Sequence, residues 1–109
     1  METLLRPAFQ KDLYQILPWI ENSKMLKYWG RHRLTFPPDP EKTWMEIGGN
    51  TCDTYVLDDT AGAIVGYGQT IRRDPSAVHL ALIIVCPNRR GQGLGRIFCQ
   101  QLIHVSFQH

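Results

Sequence analysis

Long apolar runs are missing from this chain of 109 residues. The opening Met1-Glu2-Thr3-Leu4-Leu5-Arg6-Pro7 lacks the extended apolar core of a signal peptide, and no run approaches the roughly 18 residues of a membrane span. A cytoplasmic location is expected, with no membrane partner. Cysteine is sparse and unpatterned. Cys52, Cys86 and Cys99 are odd in number and have no Cys-x-x-Cys spacing, which argues against a disulfide framework and a zinc site. A reducing compartment and no metal are the expectations. An excess of one charge is also missing, with 12 basic against 10 acidic residues. The basic residues come in short groups (Arg31 and Arg33, Arg72 and Arg73, Arg89 and Arg90), a pattern of solvated surface that does not indicate a nucleic-acid partner. Repeats and low-complexity segments are absent. The length suits one domain over residues 1–109, burying about 60–70% of its unfolded surface.

Thr3 to Arg6 reads as a first strand ended by Pro7. Leu13, Ile16, Leu17 and Ile20 then form the apolar stripe of a helix, with a break expected near Leu17 because Pro18 lacks the N–H an interior position needs. Ser23 is the expected cap of a short helix through Trp29, stopped at Gly30. A loop from Arg31 to Pro40 leads to a helix capped by Asp39, with Pro40 at its first position, running through Trp44 and Ile47 to Gly48-Gly49-Asn50. Thr54 to Leu57 and Ala63 to Arg72 read as strands joined by the turn Asp58-Asp59-Thr60-Ala61-Gly62. Gly66 and Gly68 in the second of them indicate a bulge or a close approach by ligand or backbone. Ala77 to Cys86 is a further strand, apolar on both faces from Leu80 to Val85 and so covered on both.

That strand runs into Arg90-Gly91-Gln92-Gly93-Leu94-Gly95-Arg96, and a helical segment from Ile97 to Phe107 runs out. Glycines at alternate positions leave backbone N–H groups uncovered, and the helix N-terminus behind them favours an anion, so a phosphate group is the natural ligand. Arg89, Arg90 and Arg96 flank the turn as sources of full positive charge. A dinucleotide fingerprint does not fit: Arg96 and Phe98 stand where its third glycine would be, and the required acidic strand has no room before His109. A P-loop is excluded because the chain has no Gly-Lys-Ser/Thr triplet.

The remaining pattern, Arg90-Gly91-Gln92-Gly93-Leu94-Gly95, resembles the acyl-CoA-binding signature Gln/Arg-x-x-Gly-x-Gly/Ala of the GNAT superfamily of N-acetyltransferases. The preceding Val85-Cys86-Pro87-Asn88-Arg89 has the form of that family's strand end. The resemblance implies an α/β (α+β) fold, a mixed and mostly antiparallel sheet flanked by helices, and acetyl-CoA as cosubstrate for transfer to a small or protein-borne amine. Under it, Arg90 to Arg96 hold the diphosphate, and the backbone of Ile83, Ile84 and Val85 bonds the pantetheine arm like an added strand. A backbone N–H there also meets the developing oxyanion. Trp19, Trp29, Phe36 and Trp44 are either core or the lining of an acceptor pocket.

A free alkylamine, with pKa about 10, must lose a proton before it attacks, so a base is needed. His79 is the candidate. Regular alternation puts it on one strand face with Ala81, Ile83 and Val85, about 20 Å before the strand end at 3.3 Å per residue. Complete family members continue past the last helix with further strands and a tyrosine that protonates the departing thiolate. Those elements have no counterpart here, so no general acid is assigned. The last helix also carries apolar residues on two sides, and the last strand would leave an open edge; a homodimer is expected to cover both. Two possibilities stand: an acetyltransferase, or an inactive CoA-binding or structural, dimerising remnant. The chain as a fragment of a longer product is a further one.

Overall fold

Local chemistry accounts for where the helices begin and stop. In the computed structural model, which describes residues 3–30 and 34–107 and only the backbone of Arg73, helix α1 spans Leu13–Ile16 and tightens into a 3₁₀ turn at Leu17–Trp19, where Pro18 interrupts the helical bonding. Helix α2 spans Ser23–Gly30. Its cap is Asn22 rather than Ser23, since the Asn22 Oδ1 accepts from the Met25 N–H at 2.9 Å. Helix α3, Pro40–Glu46, follows the expected pattern: Asp39 Oδ2 accepts from the Lys42 N–H at 3.0 Å and Pro40 opens the helix. Of the predicted loop before it, Arg31, His32 and Arg33 lie outside the described residues.

Four strands follow the expected order with ends shifted by one or two residues: β1 Thr3–Pro7, β2 Asp53–Asp59, β3 Ile64–Asp74 and β4 Ala77–Val85. They form one sheet in the order β1-β2-β3-β4, and all its pairings are antiparallel, so the expected mixed sheet is purely antiparallel among the described residues. The β2–β3 turn is closed by Asp59, whose Oδ1 accepts from the Ala61 and Ala63 N–H groups at 2.9 and 3.0 Å. Arg6 ties β1 to this sheet and to α1 by bonding Asp58 at 2.7 Å and Asp12 at 3.1 Å.

One face of the sheet packs under α1–α3 through Leu13, Ile16, Trp29, Val56 and Tyr67. The other carries helix α4, Leu94–Ser106, through Leu94, Phe98 and Leu102. Gly66 and Gly68 explain how closely α4 approaches. A methyl group at Gly66 would lie 3.1 Å from the Phe98 ring, and one at Gly68 would lie 3.3 Å from that ring and 2.5 Å from Ile83 Cδ1. The approach anticipated at these glycines is therefore made by the chain's own side chains. Arg72 closes the far end of α4, bonding the Ser106 carbonyl with its guanidinium over the Phe107 ring. No helix among the described residues is long and apolar enough to cross a membrane. β4 is the sheet's edge, and from Ala77 to Ile83 its residues are half-buried.

Candidate functional site

The glycine turn connects β4 to α4 and opens outward. Gly91 and Gly93 have φ of +81° and +77°, left-handed values that cost other L-residues about 1–2 kcal/mol. A methyl group on either would meet no atom within 4 Å, so the outer side of the turn faces open space. Gly93 is the residue before the helix, and its carbonyl accepts from the Ile97 N–H at 3.1 Å. The N–H groups of Leu94, Gly95 and Arg96 precede that bond and have no acceptor within the helix. With the N-terminal end of a 13-residue helix behind them they form an anion-attracting cradle. Gln92 is exposed in the turn, Leu94 is buried beneath it, and Gly95 sits over β4, where a methyl group would be 3.7 Å from Val85 Cγ2.

The flanking arginines differ from one another. Arg96 is exposed on the first turn of α4, and Arg90 donates to the Val85 carbonyl at 3.3 Å. Arg89, expected to offer its charge to a ligand, is instead paired with Asp59 at 3.0 Å and donates to Gln92 Oε1 at 3.0 Å. That pair makes Arg89 a strut between the β2–β3 turn and the glycine turn. The Ala63 N–H, the Arg89 guanidinium and the Ala61 N–H hold the Asp59 carboxyl below its ordinary range, so the strut persists to more acidic pH than an isolated aspartate would allow.

β4 does not alternate regularly. Tyr67 pairs with Ile84 and Gln69 with Ala81, so Leu82 and Ile83 fall where β3 has only Gly68. This is a bulge, and Leu82 adopts φ of +58° there, the lone non-glycine residue with positive φ among those described. The extra residue reverses the facing of everything upstream. Ile83 and Val85 pack with α4, and Ile84 turns to the opposite layer. His79 and Ala81, paired with Ile71 and Gln69, turn toward α2 and α3, and the expectation that His79 shares a face with Ile83 and Val85 is corrected by this one inserted residue.

His79 lines a cleft of about 440 Å³ beneath α2 and α3, together with Ala81, Gln69, Ile71, Trp29 and Glu46. Gln69 is buried and anchors the cleft floor by donating to the Ile47 carbonyl at 2.7 Å and to Thr54 Oγ1 at 3.2 Å. The Glu46 carboxylate accepts from the Thr35 N–H at 3.2 Å and the Thr35 hydroxyl at 2.7 Å. Of the four aromatic candidates, only Trp29 reaches this cleft. Trp44 is buried with its indole N–H on Asn50 Oδ1 at 2.9 Å, Trp19 packs at the core margin, and Phe36 is exposed. A bulge was one of the two alternatives read from Gly66 and Gly68: the ladder shifts register beside Gly66, where Leu57 and Asp58 pair with Gly66 and Ile64, and again at Gly68, where the extra residue belongs to β4 and not to β3.

Residues 5–109 match the sequence profile of the acetyltransferase (GNAT) family. Comparison with curated proteins found no match. Among solved structures, spermidine N-acetyltransferase from Vibrio cholerae in complex with CoA and spermine is similar with a TM-score of 0.72 at 21% identity, over 97% of this chain and 64% of that one. An aminoglycoside acetyltransferase in complex with coenzyme A gives 0.71 at 20% identity, over 98% and 68%. A phosphinothricin acetyltransferase from Sinorhizobium meliloti in complex with AcCoA gives 0.63 at 23% identity, over 95% and 59%. The chain spans 64%, 68% and 59% of these structures, which at such identities share its fold. With strand, glycine turn and helix arranged as described and the profile covering nearly its whole length, the chain belongs to the GNAT family of acetyltransferases.

Proposed function

We propose that this chain transfers the acetyl group of acetyl-CoA to a primary amine. The observation that carries this is the outward-facing turn with left-handed Gly91 and Gly93 at the start of α4, immediately after an edge strand. The N–H groups of Arg90 to Arg96 take the diphosphate, and the edge backbone of Ile83, Ile84 and Val85 bonds the pantetheine amides. The acceptor enters the cleft beneath α2 and α3, and His79 removes its proton. The amine nitrogen bonds to the thioester carbonyl carbon, the C–S bond breaks, and the electron pair leaves on the CoA sulfur. The free thiols of Cys52, Cys86 and Cys99 suit a cytoplasmic setting.

Calorimetric titration with acetyl-CoA and thiol release against a panel of amines test this together. His79→Gln is expected to lower kcat by about 100-fold at neutral pH, with the deficit shrinking as the pH rises toward the amine's own pKa of about 10. Full activity in that variant would remove His79 as the base, and no acetyl-CoA binding by the unaltered chain would overturn the assignment as a whole.

The edge of β4, unpaired among the described residues, together with Ile103 on α4 and Phe107 at its end, 44% and 50% exposed, favours a homodimer that covers these surfaces. CoA binding without thiol release would mark that dimer as an inactive remnant. Light scattering after size exclusion is expected to give twice the chain mass, and a monodisperse monomer at micromolar concentration would exclude the dimer.

A further inference from the structure

The bulge in β4 places a bulky residue, Leu82, in a backbone conformation that favours glycine. Something must hold it, and the hydrogen bonds identify what does. The indole N–H of Trp29, from the last turn of α2, donates to the Leu82 carbonyl at 2.7 Å. The ring itself is well fixed, being 8% exposed and tilted at 53° against Tyr67 with centroids 6.1 Å apart. Tyr67 pairs with Ile84, adjoining the bulge, so the indole is braced by the strand next to the carbonyl it holds. On the other face Ile83 Cδ1 occupies the space over Gly68, where a methyl group would come within 2.5 Å of it. The bulge is thus gripped from both sides, by a hydrogen bond under α2 and by packing under α4.

We propose that Trp29 is a positioning residue for acyl transfer: by holding the Leu82 carbonyl it fixes the peptide group that also carries the Ile83 N–H, and so presents that N–H to the thioester carbonyl. This rests on the acetyl-CoA reading above. The Leu82 carbonyl and the Ile83 N–H belong to one planar peptide group and point in opposite directions, so fixing the first fixes the second. An amide aimed in advance at the developing oxyanion is more effective than one that must reorient during the reaction. The same device separates the two halves of the site, because reversing the facing of β4 turns His79 into the acceptor cleft while Ile83 and Val85 stay with α4.

Trp29→Phe keeps an aromatic ring and removes only the donor. In this variant kcat is expected to fall by about tenfold, with the KM for acetyl-CoA and the melting temperature nearly unchanged, and amide hydrogen exchange at Ile84, paired with Tyr67 beside the bulge, is expected to quicken while that of β2 does not. Trp29→Leu, which also removes the ring, is expected to lower the melting temperature as well, separating packing from the hydrogen bond. Unchanged kcat in folded Trp29→Phe, unchanged Ile84 exchange, or a loss of kcat that only parallels a loss of stability would each overturn the proposal. Absence of turnover in the unaltered chain would count against the acetyltransferase reading, and Ile84 exchange would then decide alone whether Trp29 holds the bulge: faster exchange in Trp29→Phe supports it, and equal exchange overturns it.

Discussion

Gly93→Asp should lower CoA affinity by tenfold or more in calorimetric titration, while Gly93→Asn should lower it much less. The two variants separate charge from shape. Gly93 sits at φ of +77°, where Asn and Asp are the non-glycine residues best tolerated, and a side chain there meets no protein atom within 4 Å. Folding should therefore be nearly unaffected in both. The carboxylate, however, stands at the mouth of the uncapped amides of Leu94, Gly95 and Arg96. At about 4 Å and an effective dielectric constant of about 20, two like charges repel by about 4 kcal/mol, and solvent reduces but does not remove that. Unchanged affinity in Gly93→Asp would mean that the diphosphate lies elsewhere.

Phe98→Ala should come close to unfolding the chain. Phe98 is fully buried between Leu94 and Leu102, and its ring rests on the bare backbone of Gly66 and Gly68. The space it leaves is filled only in part by neighbours such as Ile83 and Leu102, because Gly66 and Gly68 beneath the ring have no side chains with which to collapse. Removing such a ring costs about 3–5 kcal/mol against a total stability of about 5–15 kcal/mol for a domain. In thermal denaturation the midpoint should drop by about 15 °C or more, at roughly 4–8 °C per kcal/mol. Phe98→Leu, which keeps most of the volume, should lose about half as much. CoA binding should fall in parallel with folding in Phe98→Ala, since α4 carries the amides of the cradle. A midpoint within a few degrees of the parent's would show that α4 does not depend on this contact.

Signals confined to a few neighbouring residues were readable from the chain alone. Pro18 ends α1 because a missing N–H acts on its own turn, and Asp39-Pro40 starts α3 because cap and first position are adjacent. The glycine turn was readable for the same reason, since uncovered amides and a helix start occur within seven consecutive residues. Asn22, which displaces Ser23 as the cap of α2, shows the resolution of such signals: both residue types cap helices, and the choice between them depends on where the chain enters.

What the sequence by itself determined is thus the order of elements, the breaks between them and the glycine turn that leads from β4 into α4, because each follows from backbone chemistry within one or two turns of chain. Only the tertiary structure decided which way His79 faces, what Arg89 binds and which carbonyl the Trp29 indole holds. Those outcomes depend on partners far along the chain: Gly68 opposite the bulge, Asp59 across from Arg89, and the Leu82 carbonyl beneath Trp29. A single inserted residue in β4 reverses every facing upstream of it, and alternation counted along one strand carries no record of the strand opposite.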